Sequence, residues 1–283
     1  MPRELPSFDL VVATVGRTDE LARLLDSLEA QGYPRVRVIV VDQNPDERLE
    51  EVVGKSKVTV ERIRAEAGLS RARNAGLKLV DADVVAFPDD DCVYPPGLLS
   101  RVGELLSTDA GLDGVTGMAE DASGASSDSW NPDAAILTDD NLWNRGISFA
   151  IFLRRALVER VGDFDERLGL GSPEPWASGE EIDYLIRGVR AGARIAYDPS
   201  LVVRHVVRED DARVGARDGA SVGYLLGKHD YPARVVARML VRPLGGVLVS
   251  AVQLDGDRAR YWLATFSGRV RGYRGASRSK ISA

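Results

Sequence analysis

The sequence of 283 residues has few of the residue types that form cross-links or crowded metal sites. Its single cysteine, Cys92, excludes an internal disulfide and makes a reducing cytoplasm the expected compartment. Its two histidines leave little room for His-rich metal chemistry. The sequence has no uninterrupted run of about 18 apolar residues, and its first residues pass directly into a strand-like pattern. We therefore expect neither a clean membrane span nor a secretory signal.

The composition is otherwise that of a globular protein, but its charge is unevenly spread. Hydrophobic residues make up 44% and charged residues 28% of the chain, which excludes a disordered chain or a collagen-like repeat. Residues 1–205 carry 23 basic and 36 acidic groups, whereas residues 206–283 carry 14 and 7. The acidic part is not expected to bind nucleic acid, and the basic part could meet an anionic surface.

Apolar runs alternate with amphipathic segments between residues 8 and 107. The runs resemble buried parallel strands, and the segments between them place apolar residues at helical spacing. Strands are predicted at 8–15, 36–42, 58–63 and 83–89, and helices at 18–32, 46–53, 69–80 and 95–107. This alternation indicates βαβ units, so we expect an α/β fold around a mostly parallel sheet flanked by helices.

The rest of the chain is less regular. We predict a loop over 121–133, a strand that runs into a helix from 146, a helix over 180–192, two strands joined by a turn at Asp198-Pro199, and helices to 283. The body therefore ends near residue 205, and 206–283 is a helical, basic extension. Within 233–253, Pro243 and two glycines predict two short helices, packed on the body or lying on an interface, rather than a span.

An acidic cluster follows the fourth strand directly. Asp89 and Asp91 form a D-x-D unit whose carboxylates can reach one divalent cation, Mg²⁺ or Mn²⁺, and a ribose. The alternative is a solvated acidic turn. Ligands of open α/β sheets bind beyond the carboxyl ends of the strands, where Thr14, Asp42 and Asp90 are also expected.

Three other groups are candidates for binding or catalysis. Arg71, Arg73 and Asn74 fall in the first turns of a helix, where they suit an anion or simply form a solvated face. Glu180 and Glu181 begin another helix, either as a general base or as acids that favour its N-terminus. His205 ends an apolar strand, as a structural residue or as a ligand of a metal held by Asp91.

Six segments, in this order, resemble glycosyltransferase family 2, and the resemblance covers about residues 8–205. They are ATVGRTDELARLLDSL, VVDQNPDE, GLSRARNAGL, FPDDDCVYPPGLL, GISFAIFLRRALVERVGDFDERLG and SGEEIDYLIRGVRAG. Two positions depart from the family pattern. Val15-Gly16 replaces the usual Tyr-Asn before Arg17, and Glu181 stands where the family has an aspartate.

The resemblance implies a GT-A fold, with a nucleotide-binding half over about 8–107 and an acceptor half over about 108–205. It implies transfer of a sugar from a nucleotide-sugar donor to an acceptor hydroxyl, by a single inverting displacement, with Mn²⁺ or Mg²⁺. Asp91 would ligate the metal with His205, and Glu181, or else Glu180, would be the base. The donor would be bound by Thr14, Arg17, Asp42, Arg71, Arg73, Asn74, Asp89 and Asp90.

Two other functions remain open on the sequence alone. A nucleotidyltransferase also joins an α/β sheet to a carboxylate-bound metal, but it releases pyrophosphate rather than a nucleoside diphosphate. A non-catalytic nucleotide-sugar-binding protein would explain the change to Glu181. The acceptor is not defined, whether glycan, lipid-linked sugar or small molecule. The extension allows peripheral contact with the inner face of a membrane, or a homodimer.

Overall fold

A computed structural model describes residues 5–121, 123–125, 130–205 and 211–281. The predicted loop over 121–133 lies partly outside these residues, as does the start of the predicted extension. The described chain divides into two compact units. The first contains the residues up to Ala67, Arg71–Phe164 and the chain from Glu181 to the last strand. The second contains Gly68–Ser70, Asp165–Glu180 and the helices from residue 211 onward.

The first unit is built on one sheet, which has nine strands among the described residues. The strands are β1 Phe8–Thr14, β2 Val36–Asp42, β3 Thr59–Arg64, β4 Val84–Ala86, β5 Cys92–Val93, β6 Gly114–Glu120, β7 Ala135–Ile136, β8 Ile151–Arg154 and β9 Ile195–His205. Their order is β3-β2-β1-β4-β8-β6-β9-β5, with β7 paired to β9. Strands β1 to β4 are parallel, and β8 is antiparallel to both of its neighbours. The predicted α/β architecture is confirmed, and the sheet is mixed beyond β4.

Helices flank the sheet because their apolar residues recur on one face. The helices are α1 Asp19–Glu29, α2 Glu50–Lys55, α3 Leu69–Leu77, α4 Leu98–Thr108, α5 Arg155–Val161 and α6 Glu180–Arg190. In α1 the spacing of Leu21, Leu24, Leu25 and Leu28 buries all four side chains. Each contributes about 1.5–3 kcal/mol through burial of apolar surface. They pack with alternate residues of β1, such as Leu10, in the main core.

The predicted turn at Asp198-Pro199 is wrong, because β9 continues through it. The pairing of β9 with β6 shifts register there: Thr116 pairs with Tyr197, and Met118 pairs with Val202. Between these two pairs, four residues of β9 (198–201) therefore lie opposite one residue of β6, Gly117. At Gly117, an added Cβ would lie 2.0 Å from the Leu201 carbonyl oxygen, so the close approach requires glycine.

The second unit contains three long helices, α7 Ala212–Lys228, α8 Ala233–Val252 and α9 Gly256–Ile281. Helices α7 and α9 approach closely along glycines at four-residue spacing. A Cβ added at Gly219, Gly223, Gly268 or Gly272 would lie 1.8–2.4 Å from a carbonyl oxygen of the facing helix. Larger side chains at these positions would push the two helices apart.

The predicted break near Pro243 is also wrong, since α8 is one helix of 20 residues. A proline inside a helix leaves the carbonyl four residues earlier without its usual N–H donor. Here that carbonyl belongs to Met239, and the guanidinium of Arg269 on α9 donates to it. The proline is therefore accommodated by a side chain from a neighbouring helix. By length and composition alone, α8 could cross a membrane. Of its most apolar stretch of 18 residues, 28% is buried.

Candidate active site

The carboxyl ends of β1, β2 and β4 bring polar side chains to one edge of the sheet. Thr14 and Asp42 are the last residues of β1 and β2 and lie opposite each other in register. Both are almost fully buried, and the three aspartates follow β4. These side chains therefore lie at the carboxyl edge of the sheet, where ligands of open α/β sheets bind.

Asp89, Asp91 and His205 form a cluster suited to a metal ion. One ligand atom from each lies within 4.8 Å of the others. His205 Nε2 is 2.9 Å from Asp91 Oδ1 and 3.9 Å from Asp89 Oδ2. Two carboxylates and an imidazole at this spacing fit a divalent cation such as Mn²⁺ or Mg²⁺.

The short strand β5 explains why His205 reaches the aspartates. Cys92 pairs with His205 across β5 and β9, which places the imidazole beside the residue that precedes Cys92. The imidazole also stacks on Phe149, with ring centroids 4.7 Å apart and planes within 4°. Neither β5 nor the stacking was predictable from local sequence pattern.

Arg17 lies against the same carboxylates. Its guanidinium donates to Asp90 Oδ1 at 2.7 Å and to Asp91 Oδ2 at 2.5 Å. Burial raises the pKa of Asp90, and the neighbouring Thr14 and Arg17 offset only part of that rise. The structure thus groups four of the predicted site residues, Arg17, Thr14, Asp90 and Asp91.

Arg73 is almost completely buried beneath the cluster, with 1% of its surface exposed. It donates to Asp89 Oδ1 at 3.1 Å. Its guanidinium carbon lies 6.0 Å from the ring centroid of Phe87 and 5.6 Å from that of Phe164. These contacts hold a positive charge next to the aspartates.

Asp42 has partners that the sequence analysis did not identify. It accepts hydrogen bonds from the backbone and side chain of Asn44 at 2.8 and 2.7 Å, and from Arg62 at 2.9 Å. Asn44 in turn accepts from the Gly16 backbone N–H at 2.6 Å. The only sequence signal for Asn44 is its place two residues after the end of β2.

Arg71 and Asn74 contact residues other than the three aspartates that follow β4. Arg71 is exposed and pairs with Glu66 at 3.2 Å. Asn74 is buried, and its side-chain amide bonds to both the N–H and the carbonyl of Phe164, at 2.8 and 3.0 Å. The bonds from Asn74 orient the backbone at Phe164. A direct role of Arg71 or Asn74 in donor binding stays a prediction.

The two candidate bases begin α6. Glu180 is buried, with 5% of its surface exposed, and Glu181 is partly exposed. Glu181 lines a small cavity together with Arg73, Ser148 and Tyr184. The next acid of the helix, Asp183, is fully buried and pairs with Arg187 at 2.9 Å.

Known proteins are similar to this chain in sequence. The model of Glycosyl transferase family 2 matches residues 9–162, more than half of the chain. A pre-mycofactocin glycosyltransferase of Mycobacterium tuberculosis (strain ATCC 25618 / H37Rv) is 28% identical over 282 residues, which covers 92% of this chain and 56% of the relative. The glycosyltransferase AglE of Haloferax volcanii is 21% identical over 220 residues, covering 74% and 69%. The chain thus spans about half the length of the mycobacterial relative.

Solved structures show the same fold at low sequence identity. The mannosyltransferase PcManGT from Pyrobaculum calidifontis, in complex with GDP-Man and Mn²⁺, has a TM-score of 0.70 at 15% identity, over 96% of this chain and 88% of that one. S. aureus TarS 1-349, in complex with UDP-GlcNAc, has a TM-score of 0.59 at 16% identity, over 95% and 92%. The GT-A fold is therefore confirmed, and the match to the family model shows that this chain belongs to glycosyltransferase family 2.

Proposed function

We propose that this chain transfers a sugar from a nucleotide-sugar donor to an acceptor hydroxyl with the help of a divalent metal. The observation that carries the proposal is the cluster of Asp89, Asp91 and His205 at the carboxyl edge of the sheet. Structures of the same fold hold GDP-Man with Mn²⁺ or UDP-GlcNAc, which supports a donor of this class here.

Asp91 and His205 would hold the metal, and Asp89 is close enough to join them. When bound, Mn²⁺ or Mg²⁺ would stabilise the negative charge of the departing diphosphate. Arg17 contacts the same carboxylates, and we infer that it turns toward the diphosphate when donor binds. Arg73 would keep Asp89 in place and add positive charge beneath the donor.

Asp42 would contact the base of the nucleotide, and Thr14 would line the same pocket. Both are buried at the ends of adjacent strands, and Asn44 and Arg62 fix the carboxylate of Asp42. We assign the nucleotide half to about 8–107 and the acceptor half to about 108–205. Residues 206–283 are then an extension of the catalytic domain.

Glu181 would remove the proton from the acceptor hydroxyl as that oxygen attacks the anomeric carbon. It shares a cavity with Arg73, which in turn contacts Asp89. A single displacement of this kind inverts the configuration at that carbon. Glu180 is the second candidate for the base.

Metal-dependent donor binding is tested by a thermal-shift panel of UDP, GDP and their sugars with Mn²⁺, Mg²⁺ or EDTA. A ligand that binds the folded state raises Tm by mass action, so the correct nucleotide should stabilise the chain only with metal. Activity, measured as release of nucleoside diphosphate, should fall roughly 100-fold or more in Asp91→Asn, because the metal contributes several kcal/mol.

The matched control is Asp26→Asn, at an exposed position of α1. Asp26→Asn should keep both the rise in Tm with nucleotide and metal and the release of nucleoside diphosphate. Full activity of Asp91→Asn at low metal would contradict the assignment, and release of pyrophosphate would indicate nucleotidyl transfer instead.

The base is tested by Glu181→Gln and Glu180→Gln in parallel. Loss of a general base lowers kcat by about 10²–10⁴-fold and leaves donor affinity unchanged. We expect that result for Glu181→Gln. If only Glu180→Gln is inactive, the two roles are exchanged, and if both remain active, the base lies elsewhere.

We further propose that the protein works in the cytoplasm and touches the inner face of the membrane through α8. Val241, Leu248 and Val252 on this helix have 53, 69 and 85% of their surfaces exposed. The three arginines of α8 are also exposed, and its sequence contains no acidic residue. A homodimer formed through the same face is the alternative.

A further inference from the structure

A cavity of about 970 Å³ lies within the second unit. Pro175 and Trp176 line it from the segment before α6, and Phe266 and Val270 line it from α9. Volumes of this size are typical of sites for small organic ligands. None of the lining residues belongs to the metal cluster or to the proposed donor site.

The aromatic wall of the cavity is held in place. Trp176 is 8% exposed and stacks on Tyr224 of α7, with centroids 4.4 Å apart and planes within 7°. On the side of α9, a Cβ added at Gly275 would lie 2.4 Å from the Trp176 ring. The indole therefore has a fixed position that depends on glycine at 275.

Hydrogen bonds also fix the segment that carries Trp176. The Ser178 hydroxyl lies 2.9 Å from Asp218 Oδ1 and 2.7 Å from the Ser221 hydroxyl, both on α7. Earlier in the segment, the Leu168 carbonyl accepts from the Ser70 hydroxyl at 2.7 Å. The cavity is thus formed before any ligand binds, which lowers the entropy cost of binding.

The charge of the lining favours an anion. Arg271 and Arg274 are exposed on the cavity side of α9 and make no ion pair with any residue that the structure describes. Other arginines of this unit do pair, as Arg167 does with Asp165 at 2.8 Å. Glu174 is the one carboxylate of the lining, so two guanidiniums face one negative charge.

We propose that this cavity binds a small ligand that carries an anionic group, a phosphate or a carboxylate, on an aromatic or aliphatic body. Guanidinium groups bind such anions through paired hydrogen bonds, and the body would lie against Trp176 and Phe266.

The binding chemistry is tested by titrating the full chain with phenyl phosphate, inorganic phosphate and benzyl alcohol in a calorimeter. Phenyl phosphate combines both features and should bind at least about tenfold more tightly than either other compound. The double variant Arg271→Gln/Arg274→Gln should weaken it by a further factor of about ten or more, as expected for charged hydrogen bonds.

The double variant Arg258→Gln/Arg260→Gln is the matched control, because it removes the same charge from exposed positions of α9 outside the cavity. It should bind phenyl phosphate like the unmodified chain. If both double variants bind phenyl phosphate equally more weakly, the effect is one of net charge and the proposal is overturned. The proposal is also overturned if the unmodified chain does not bind phenyl phosphate.

Discussion

The three consecutive aspartates after β4 have three different sets of partners. Asp89 contacts the buried Arg73, Asp90 contacts Arg17, and Asp91 contacts both Arg17 and His205. Local sequence predicted that these carboxylates lie at the end of a buried strand. It could not assign their partners, because those come from distant segments that only the folded sheet brings together.

Asp9 is a buried charge inside an otherwise apolar strand, β1. It has 1% of its surface exposed and accepts two hydrogen bonds from Arg37, both at 2.8 Å, as well as backbone N–H groups of Asp81 and Ala82. Burial raises the pKa of Asp9, but these donors outweigh it and the net pKa is lowered. The ionised form is therefore the one that stabilises the fold.

Asp9→Asn should lower the free energy of unfolding at pH 7 by about 1.5–3 kcal/mol. It removes the buried carboxylate that accepts charged hydrogen bonds from Arg37, which keeps its ion pairs with Asp81 and Glu61. Since the folded pKa is below the unfolded value near 3.9, this contribution is complete above that pH. It is lost as the pH falls through the folded pKa. Urea unfolding at pH 7 and pH 3 measures the effect.

The difference in the free energy of unfolding between Asp9→Asn and the unmodified chain should therefore be smaller at pH 3 than at pH 7. Asp26→Asn, at an exposed position, should match the unmodified chain at both values. If Asp9→Asn lowers the free energy of unfolding equally at both pH values, packing rather than charge accounts for the lost stability.

Among the elements, the first three parallel strands were the most predictable. The prediction for β2 matches its observed bounds, and β1 and β3 differ by one residue at their ends. In contrast, β6 was not predicted, because its sequence GVTGMAE contains two glycines and no apolar run. It is extended because β8 and β9 pair with it on either side, which local pattern cannot indicate.

Helix α8 shows how a neighbouring element can overrule a local signal. Pro243 predicted a break, but Arg269 of α9 donates to the Met239 carbonyl that the proline leaves without a helical donor. Burial, together with the charge of Arg242, lowers the pKa of Arg269 to about 10. The guanidinium therefore remains charged at neutral pH and available for this bond.

A double-mutant cycle tests the link between Pro243 and Arg269. Arg269→Leu should lower the free energy of unfolding by about 1–3 kcal/mol, because a buried carbonyl loses its donor. In a Pro243→Ala background the alanine N–H supplies that donor, so the same change should cost at least about 1 kcal/mol less. Equal costs in both backgrounds, measured by urea unfolding, would show that the contact does not compensate for the proline.

At the scale of the whole molecule, charge and exposed apolar surface are concentrated in the same part of the sequence. Residues 206–283 have twice as many basic as acidic groups, and residues 1–205 have an excess of acidic ones. Val241, Leu244, Leu248 and Val252 recur on one face of α8 and are all exposed. A contiguous apolar patch beside arginines is typical of a surface that meets a membrane interface or another protein.

We expect the full chain to sediment with vesicles of phosphatidylglycerol and phosphatidylcholine, but not with phosphatidylcholine alone. Each basic residue near an anionic surface contributes about 1 kcal/mol, and salt screens that attraction, so binding should weaken from low to high salt. Leu248→Asp/Val252→Asp should abolish most of the binding, because it places charge in the apolar stripe. Ile136→Asp, at an exposed apolar position of β7, is the control and should bind normally.

If the chain stays in the supernatant at low salt, the membrane contact is refuted. Light scattering of the same variants then decides whether the stripe joins two copies, since Leu248→Asp/Val252→Asp would convert a dimer to a monomer.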